Sequence, residues 1–129
     1  MVALEGDEIV GHILFSPVKI IGSAKTAEGM GLAPVAVLPA RQHQGVGTLL
    51  VKQGIEMLRG RGCPFIIVLG HPEYYPRFGF ARAFMHGIAS QWDGVPDEAF
   101  MILILDPSAM KGVSGVARYR DEFDEATQE

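Results

Sequence analysis

Two glycines set between an apolar run and an amphipathic stripe constrain this chain more than anything else in it. Gly31-Leu32-Ala33-Pro34-Val35-Ala36-Val37-Leu38 is apolar throughout and is stopped by Pro39. Its length and valine content predict a buried strand rather than a helix. From Gly47 onward, Gly47, Leu50, Val51, Gly54, Ile55 and Leu58 fall on one stripe of an α-helix, leaving Lys52, Gln53, Glu56 and Arg59 for solvent. Gly60 and Gly62 stop that helix, with Arg59 and Arg61 at its negative dipole end. Phe65-Ile66-Ile67-Val68-Leu69 follows and is apolar on both faces, as a covered strand should be. Strand, helix and strand in that order predict a right-handed parallel crossover.

The remaining segments are arranged around that unit. Val2-Ala3-Leu4 and Ile9 to Phe15 read as two strands joined by a tight turn at Glu5-Gly6-Asp7-Glu8. Pro17 ends or bulges the second strand, Val18 to Ile21 continues it, and Ser23 to Gly29 has the composition of a loop. Pro76 restricts any helix in Glu73 to Phe78 to about a turn. Later strands are expected near Ala81 to Ala89 and Phe100 to Leu105, and the acidic end, 121–129, is expected to be partly ordered at best. With no internal repeat and no linker, residues 1–129 are expected to form one domain.

Composition removes several classes of function. The chain carries 11 Lys+Arg against 15 Asp+Glu, a net charge of −4, which argues against a broad electrostatic footprint for nucleic acid or an anionic membrane. Its one cysteine, Cys63, cannot form an internal disulfide, and no Cys/His spacing suits a structural zinc, so no metal is expected. No apolar run reaches the roughly eighteen residues of a membrane span, and Glu5, Asp7 and Glu8 stand where a signal peptide would be basic and then apolar. A cytoplasmic setting is the expectation. Cys63 itself reads most simply as a small core residue.

The segment Pro39-Ala-Arg-Gln-His-Gln-Gly-Val-Gly-Thr48 then becomes the place to look for chemistry. A strand-to-helix turn presents unpaired backbone N–H groups at the positive end of a helix dipole, the physical recipe for holding a phosphate or pyrophosphate. Gly45 and Gly47 let an anion approach the backbone closely, although glycines needed only for close packing would look the same. The two familiar nucleotide motifs fit badly. A P-loop needs a lysine directly after the glycine, and here Gly47 is followed by Thr48 and Leu49. A dinucleotide fingerprint needs a small residue where Leu50 stands and an acid where the next strand ends at Leu69-Gly70.

A third pattern fits. Val37-x-Pro39-x-x-Gln42-x-x-Gly45-x-Gly47-x-x-Leu50 resembles the acetyl-CoA signature of the GNAT superfamily of N-acetyltransferases. Downstream, Tyr75-Pro76-Arg77-Phe78-Gly79-Phe80 resembles the family's second landmark, a tyrosine four residues before a Gly-Phe pair. The flanking Leu32-x-Pro34-x-Ala36-Val37 and Val68-Leu69-Gly70-His71-Pro72-x-Tyr74-Tyr75 are similar to the YhbS-like subgroup in particular, and the likeness covers nearly the whole chain.

The resemblance implies an α/β fold of the α+β type, a GNAT-like mixed and mostly antiparallel sheet with a central parallel strand-helix-strand crossover. It implies acetyl-CoA as co-substrate, its pyrophosphate on the backbone of Gln42, His43, Gln44, Gly45, Val46, Gly47 and Thr48, and its pantetheine arm along Val35, Ala36 and Val37 like an added strand. The His43 side chain is then expected in solvent, and Arg41 either reaches a phosphate or is solvated. The family's reaction is direct attack of a neutral amine on the thioester carbon, which requires a proton to leave the amine and another to reach the departing thiolate. Tyr75 matches the position that protonates the thiolate; a packing tyrosine beside Phe78 and Phe80 is the competing reading. An N–H near Val37 is expected to meet the oxyanion.

The base transfers poorly. Many relatives take it from a carboxylate on the strands flanking the cofactor, and neither Gly31 to Val37 nor Phe65 to Leu69 contains one. His71 is the best titratable candidate, an exposed loop histidine being the competing reading, with Glu28 and Glu73 weaker and a chain of waters as another route. Trp92 either lines an acceptor cleft or covers a loop.

The expected function is therefore acetyl transfer to a primary amine of a small molecule or peptide. An acyl-CoA-binding domain of the same fold without turnover is the alternative. The resemblance also implies a chain short of the strand and helix pair that family members usually carry before the hairpin, leaving Val2 to Glu5 as an open edge. An upstream start, a second chain covering that edge as in a homodimer, or an open acceptor site would each answer it.

Overall fold

The computed structural model describes residues 2–5, 8–22, 24–32, 36–37 and 45–119. β1 (Val2–Glu5) and β2 (Glu8–His12) pair antiparallel as the alternation around Gly6-Asp7 predicts. Then follow β3 (Phe15–Ile21), β4 (Thr26–Leu32), the two-residue β5 (Ala36–Val37), helix α1 (Val46–Gly60) and β6 (Phe65–Leu69). The last part holds β7 (Ala81–Arg82), β8 (Ile88–Ser90), β9 (Phe100–Ile104), the short helix α2 (Pro107–Met110) and β10 (Gly115–Tyr119). The described strands form two sheets, one in the order β1-β2-β5 and the other in the order β7-β9-β6-β4-β3-β10-β8.

The crossover falls where periodicity put it. α1 buries Leu50, Val51, Gly54, Ile55 and Leu58, the predicted stripe. It leads from β4 to β6, which lie side by side in parallel with Met30 opposite Ile66 and Leu32 opposite Val68. Gly54 earns its place by contact: a Cβ there would stand 2.7 Å from the Phe15 ring. Beyond β4–β6 only β8–β10 is parallel among the described pairings, so the sheet is mixed and mostly antiparallel. Each face of the larger sheet carries its own core. Ile66, Val68 and Leu103 join α1 on one face, whereas Phe65, Ile67 and Ile102 join Val18, Ile20 and Ala117 on the other. Among the described residues, no helix is long and apolar enough to cross a membrane.

Several expectations need correction. Ser23 to Gly29 is not a loop throughout, because Thr26 opens β4 and pairs with Ile21. Gly29 and Gly31 there are strand glycines that make room for aromatic rings: a Cβ on Gly29 would lie 2.8 Å from the Phe65 ring, and one on Gly31 would lie 2.5 Å from Tyr119. The described parts of the apolar run 31–38 fall in two different sheets. Its first part pairs in the larger sheet through Leu32, while Ala36 and Val37 pair with His12 and Gly11 in the smaller one. The strand expected from Ile9 to Phe15 stops at His12, and Pro17 sits inside β3 opposite Met30 rather than ending it. The strand expected over Ala81 to Ala89 is interrupted by a 3₁₀ turn, Ala83–His86, which closes on Gly87 at φ 73°. β10 and α2 were not expected; α2 starts on Pro107 with Asp106 as its cap, whose carboxylate accepts from the Ser108 and Ala109 amides at 3.1 and 3.3 Å. The acidic end, 121–129, lies outside the described residues.

Candidate active site

The first landmark meets the structure at Gly45. This residue is the N-cap of α1 and has φ +81°, a left-handed conformation that glycine adopts without strain. Its carbonyl receives the first described intrahelical bond, from the Leu49 amide at 2.9 Å. By helix geometry the amides of Val46, Gly47 and Thr48 precede that bond. No acidic residue occupies the first turn, and a Cβ at Gly45 would meet nothing within 4 Å. The chain can therefore offer backbone N–H groups to an anion at the positive end of a fifteen-residue helix. Val35, Gln42, His43 and Gln44, together with Arg41, lie outside the described residues.

The second landmark is a 3₁₀ turn, Tyr75–Phe78, that follows β6 after the short run 70–74. The His71 carbonyl receives the Tyr74 and Tyr75 amides at 3.1 and 3.4 Å and starts the turn; Gly79 at φ +100° ends it, with its amide on the Pro76 carbonyl at 3.0 Å. This is why a glycine must follow Phe78. The turn places the Tyr75 ring in the core beside Phe80, with centroids 5.7 Å apart, and Tyr74 edge-on at 5.0 Å. Only 6% of Tyr75 is exposed. Its hydroxyl nevertheless makes no hydrogen bond, and no fully enclosed side-chain oxygen among the described residues lacks a partner, so that oxygen keeps contact with solvent. Burial, and then the neighbouring Tyr74, push the Tyr75 phenol above its ordinary value. At neutral pH the phenol is therefore protonated.

A hydrogen bond links the two landmarks. The Tyr74 hydroxyl and Thr48 Oγ1 are 3.1 Å apart, joining the first turn of α1 to the tyrosine turn. Arg77 holds Tyr74 from the other side, its Nε donating to the Tyr74 carbonyl at 2.9 Å and its guanidinium lying 4.6 Å from the ring centre. Val46, Tyr74 and Phe78 pack against the same core cluster as Tyr75. Tyr74 was not assigned a role from sequence, although it stands beside Tyr75; a phenol one residue from a candidate acid was the available signal. Gly70 was missed too, and only packing reveals it: its amide donates to the Ala99 carbonyl at 2.9 Å, and a Cβ there would collide with the Tyr75 ring.

Other predicted residues are not brought together. The His71 side chain is exposed and makes no hydrogen bond to a described residue, so nothing orients it as a base. Glu73 is exposed, and Glu28 pairs with Lys19 at 3.3 Å on the surface of β3 and β4. Ala36 and Val37 pair with β2, so the strand expected to carry the pantetheine arm belongs to the smaller sheet, apart from β6. Cys63 is half-buried as a core residue should be; its thiol donates to the Phe65 carbonyl at 3.2 Å, and burial pushes its pKa up. A groove of about 930 Å³ runs past Lys19, Glu28, Arg61, Cys63 and Arg118, and neither the predicted cofactor residues nor Tyr75 or His71 line it.

This fold, with a glycine-led helix and a buried tyrosine linked to it, agrees with comparisons to known proteins. The family model for the acetyltransferase (GNAT) family matches residues 1–80, and the chain belongs to that family. It is 34% identical over 116 residues to the uncharacterized N-acetyltransferase YhbS of Escherichia coli K12, covering 90% of this chain and 68% of that protein. The crystal structure of Escherichia coli YhbS in complex with CoA superposes with a TM-score of 0.86 at 32% identity, over 95% of this chain and 67% of that one. A GNAT family acetyltransferase from Brucella melitensis in complex with acetyl-CoA gives a TM-score of 0.72 at 38% identity, over 95% of this chain and 66% of that one.

Proposed function

We propose that this chain binds acetyl-CoA and transfers its acetyl group to a primary amine of a small molecule or peptide, with Tyr75 as the general acid. The observation that carries this reading is the buried Tyr75 ring whose hydroxyl has no partner, tied through Tyr74 and Thr48 to the start of α1. Gly45 and the amides of Val46, Gly47 and Thr48 fit a pyrophosphate: the space a Cβ would fill at Gly45 is open, and the helix dipole favours an anion there. Relatives at 32% and 38% identity are described in complex with CoA and acetyl-CoA.

The bound thioester supplies an activated acyl group. The chain's part is to hold the pyrophosphate on backbone N–H groups, keep the arm beside β5, and deliver a proton from Tyr75 Oη to the leaving sulfur. As the amine nitrogen bonds to the acyl carbon, the carbon–sulfur bond breaks and the sulfur takes the Tyr75 proton. The ammonium's protons are lost to water, and Tyr75 is reprotonated from solvent. One ammonium and one thioester thus become one amide, one thiol and one free proton. A reducing cytoplasm suits a chain with a single unpaired cysteine.

Calorimetry with acetyl-CoA and a thiol-release assay over a panel of amines test the reading, and absence of CoA binding at millimolar ligand would sink it. A second reading, an acyl-CoA-binding domain without turnover, is favoured by the lack of a described carboxylate on β6 and by the solvent-facing Glu28 on β4. Tight binding with no acetylation of any amine would select it.

A further inference from the structure

Tyr74 has no task in the proposed reaction, yet its side chain is held from several directions. Its hydroxyl is 3.1 Å from Thr48 Oγ1, its ring meets Tyr75 and Phe78 edge-on with centroids 5.0 and 5.3 Å apart, and the Arg77 guanidinium lies 4.6 Å from its centre. Arg77 also holds the backbone of the same residue, its Nε donating to the Tyr74 carbonyl at 2.9 Å. A planar guanidinium suits this double task, because it attracts a π face and carries donors in a rigid fork. The chain thereby commits an exposed arginine and a half-buried phenol to bracing one residue, the one directly before Tyr75.

The brace joins the two ends of one ligand site. Thr48 stands in the first turn of α1, whose amides suit a pyrophosphate, and Tyr74 adjoins Tyr75, which suits the thioester sulfur. Thr48 and Tyr74 are 26 residues apart in the chain, so nothing local fixes the distance between those ends. A donor gripped at its phosphates and protonated at its sulfur reacts well only when the two grips keep their separation, since a misplacement of about 1 Å costs on the order of a hundredfold in rate. Consecutive Cα atoms are held about 3.8 Å apart, so Tyr74 cannot shift against α1 without disturbing Tyr75.

We infer that Tyr74 and Arg77 are positioning residues that tie Tyr75 to the start of α1, so that the acid meets the sulfur of a thioester anchored there and the chain prefers a CoA donor to a shorter one. The inference rests on the readings of Tyr75 as the acid and of the start of α1 as the phosphate site. A short thioester takes no hold on α1 and gains nothing from the tie.

Donor preference tests it, with S-acetyl-N-acetylcysteamine as the thioester that carries no phosphate. Tyr74→Phe and Thr48→Val should each lower kcat with acetyl-CoA about tenfold, leave its calorimetric Kd within about twofold, and change kcat/KM for the short thioester by less than about twofold. Thr48→Ser, which keeps the hydroxyl, should restore the preference. Arg77→Lys keeps the charge without the planar Nε donor and should cost about threefold in kcat with acetyl-CoA alone. Ile55→Val, a core change in α1 that also lowers stability, should leave the preference as in the wild type.

A second readout needs no turnover. The chain has three tyrosines, so ring-labelled tyrosine gives each its own resonance. ADP, which carries a pyrophosphate and no thioester, should move the Tyr74 and Tyr75 resonances and leave that of Tyr119, which stacks on Trp92. In Thr48→Val the Tyr75 response should vanish. Equal losses with both donors, or a Tyr75 resonance that ADP moves as far in Thr48→Val as in the wild type, overturn the inference while leaving acetyl transfer intact. A wild type that binds acetyl-CoA and acetylates no amine overturns the reading of Tyr75, and the tie to it as well.

Discussion

The Tyr75 ring rests directly on Gly70: a Cβ at position 70 would stand 2.4 Å from Cε2 of the ring. Gly70 is half-buried at the end of β6, where its amide is already committed to Ala99, so the backbone there has little freedom to withdraw. The position of the proposed acid is thus set by the absence of a side chain five residues earlier.

Gly70→Ala should therefore displace Tyr75 and lower kcat by about tenfold, with acetyl-CoA affinity changed by less than twofold. Overpacking of this kind costs about 1–3 kcal/mol of stability, which urea unfolding reads separately. In a Gly70→Ala, Tyr75→Phe double variant the two losses in kcat should fail to add; additive losses would mean that Gly70 acts on something other than the hydroxyl.

Tyr75→Phe should lower turnover by about a hundredfold while calorimetric affinity for acetyl-CoA holds, because only the proton is removed. The pH profile gives a sharper test. The protonated phenol is the working form and burial raises its pKa, so wild-type activity should fall only above the ordinary tyrosine value of about 10. As pH rises below that limit, more of the amine is neutral and the rate climbs. In the phenylalanine variant the climb should remain and the alkaline fall should vanish; an unchanged alkaline limb would remove Tyr75 from the role.

At Gly45 the cost of substitution is conformational, since φ is +81° and a Cβ would meet no atom within 4 Å. Gly45→Val should cost about 1–2 kcal/mol and weaken acetyl-CoA binding about tenfold, whereas Gly45→Asn, a residue that tolerates the left-handed region, should recover most of both. Equal losses from valine and asparagine would point to steric exclusion of the ligand rather than backbone conformation.

The Thr48–Tyr74 bond should be measurable as a coupling. Thr48→Val and Tyr74→Phe should each cost about 1 kcal/mol of stability, and the double variant little more than either alone. Full additivity would show that the bond does not join the two segments in solution.

The parts of the fold that periodicity could reach were legible. Leu50, Val51, Ile55 and Leu58 announce α1 because burial on one helix face needs nothing but spacing. Gly29 was misread because a glycine in a turn and a glycine beneath an aromatic ring look identical until the ring is found, here from Phe65, distant in sequence. Tyr75 was singled out by its resemblance to a family landmark, a tyrosine four residues before a glycine, here Gly79, whose positive φ ends the turn. The Tyr74–Thr48 bond and the seat of the Tyr75 ring on Gly70 were not, because each is a contact that shows only once the chain is folded.

The division of the run 26–37 between two sheets has a thermodynamic consequence. β4 belongs to the larger sheet, while the two residues of β5 complete a smaller one, of three strands among the described residues, the kind of unit that opens first. On the proposed binding mode, with the acetyl-CoA arm beside β5 and its phosphates on α1, the ligand would link that weak unit to the strong one, so that loading and local folding would become a single equilibrium. At a hundred times Kd this linkage is worth about 2.7 kcal/mol. Amide hydrogen exchange in β1, β2 and β5 should slow as acetyl-CoA is added while β6 and β9 hardly change, which makes the smaller sheet a gauge of loading that needs no acceptor at all.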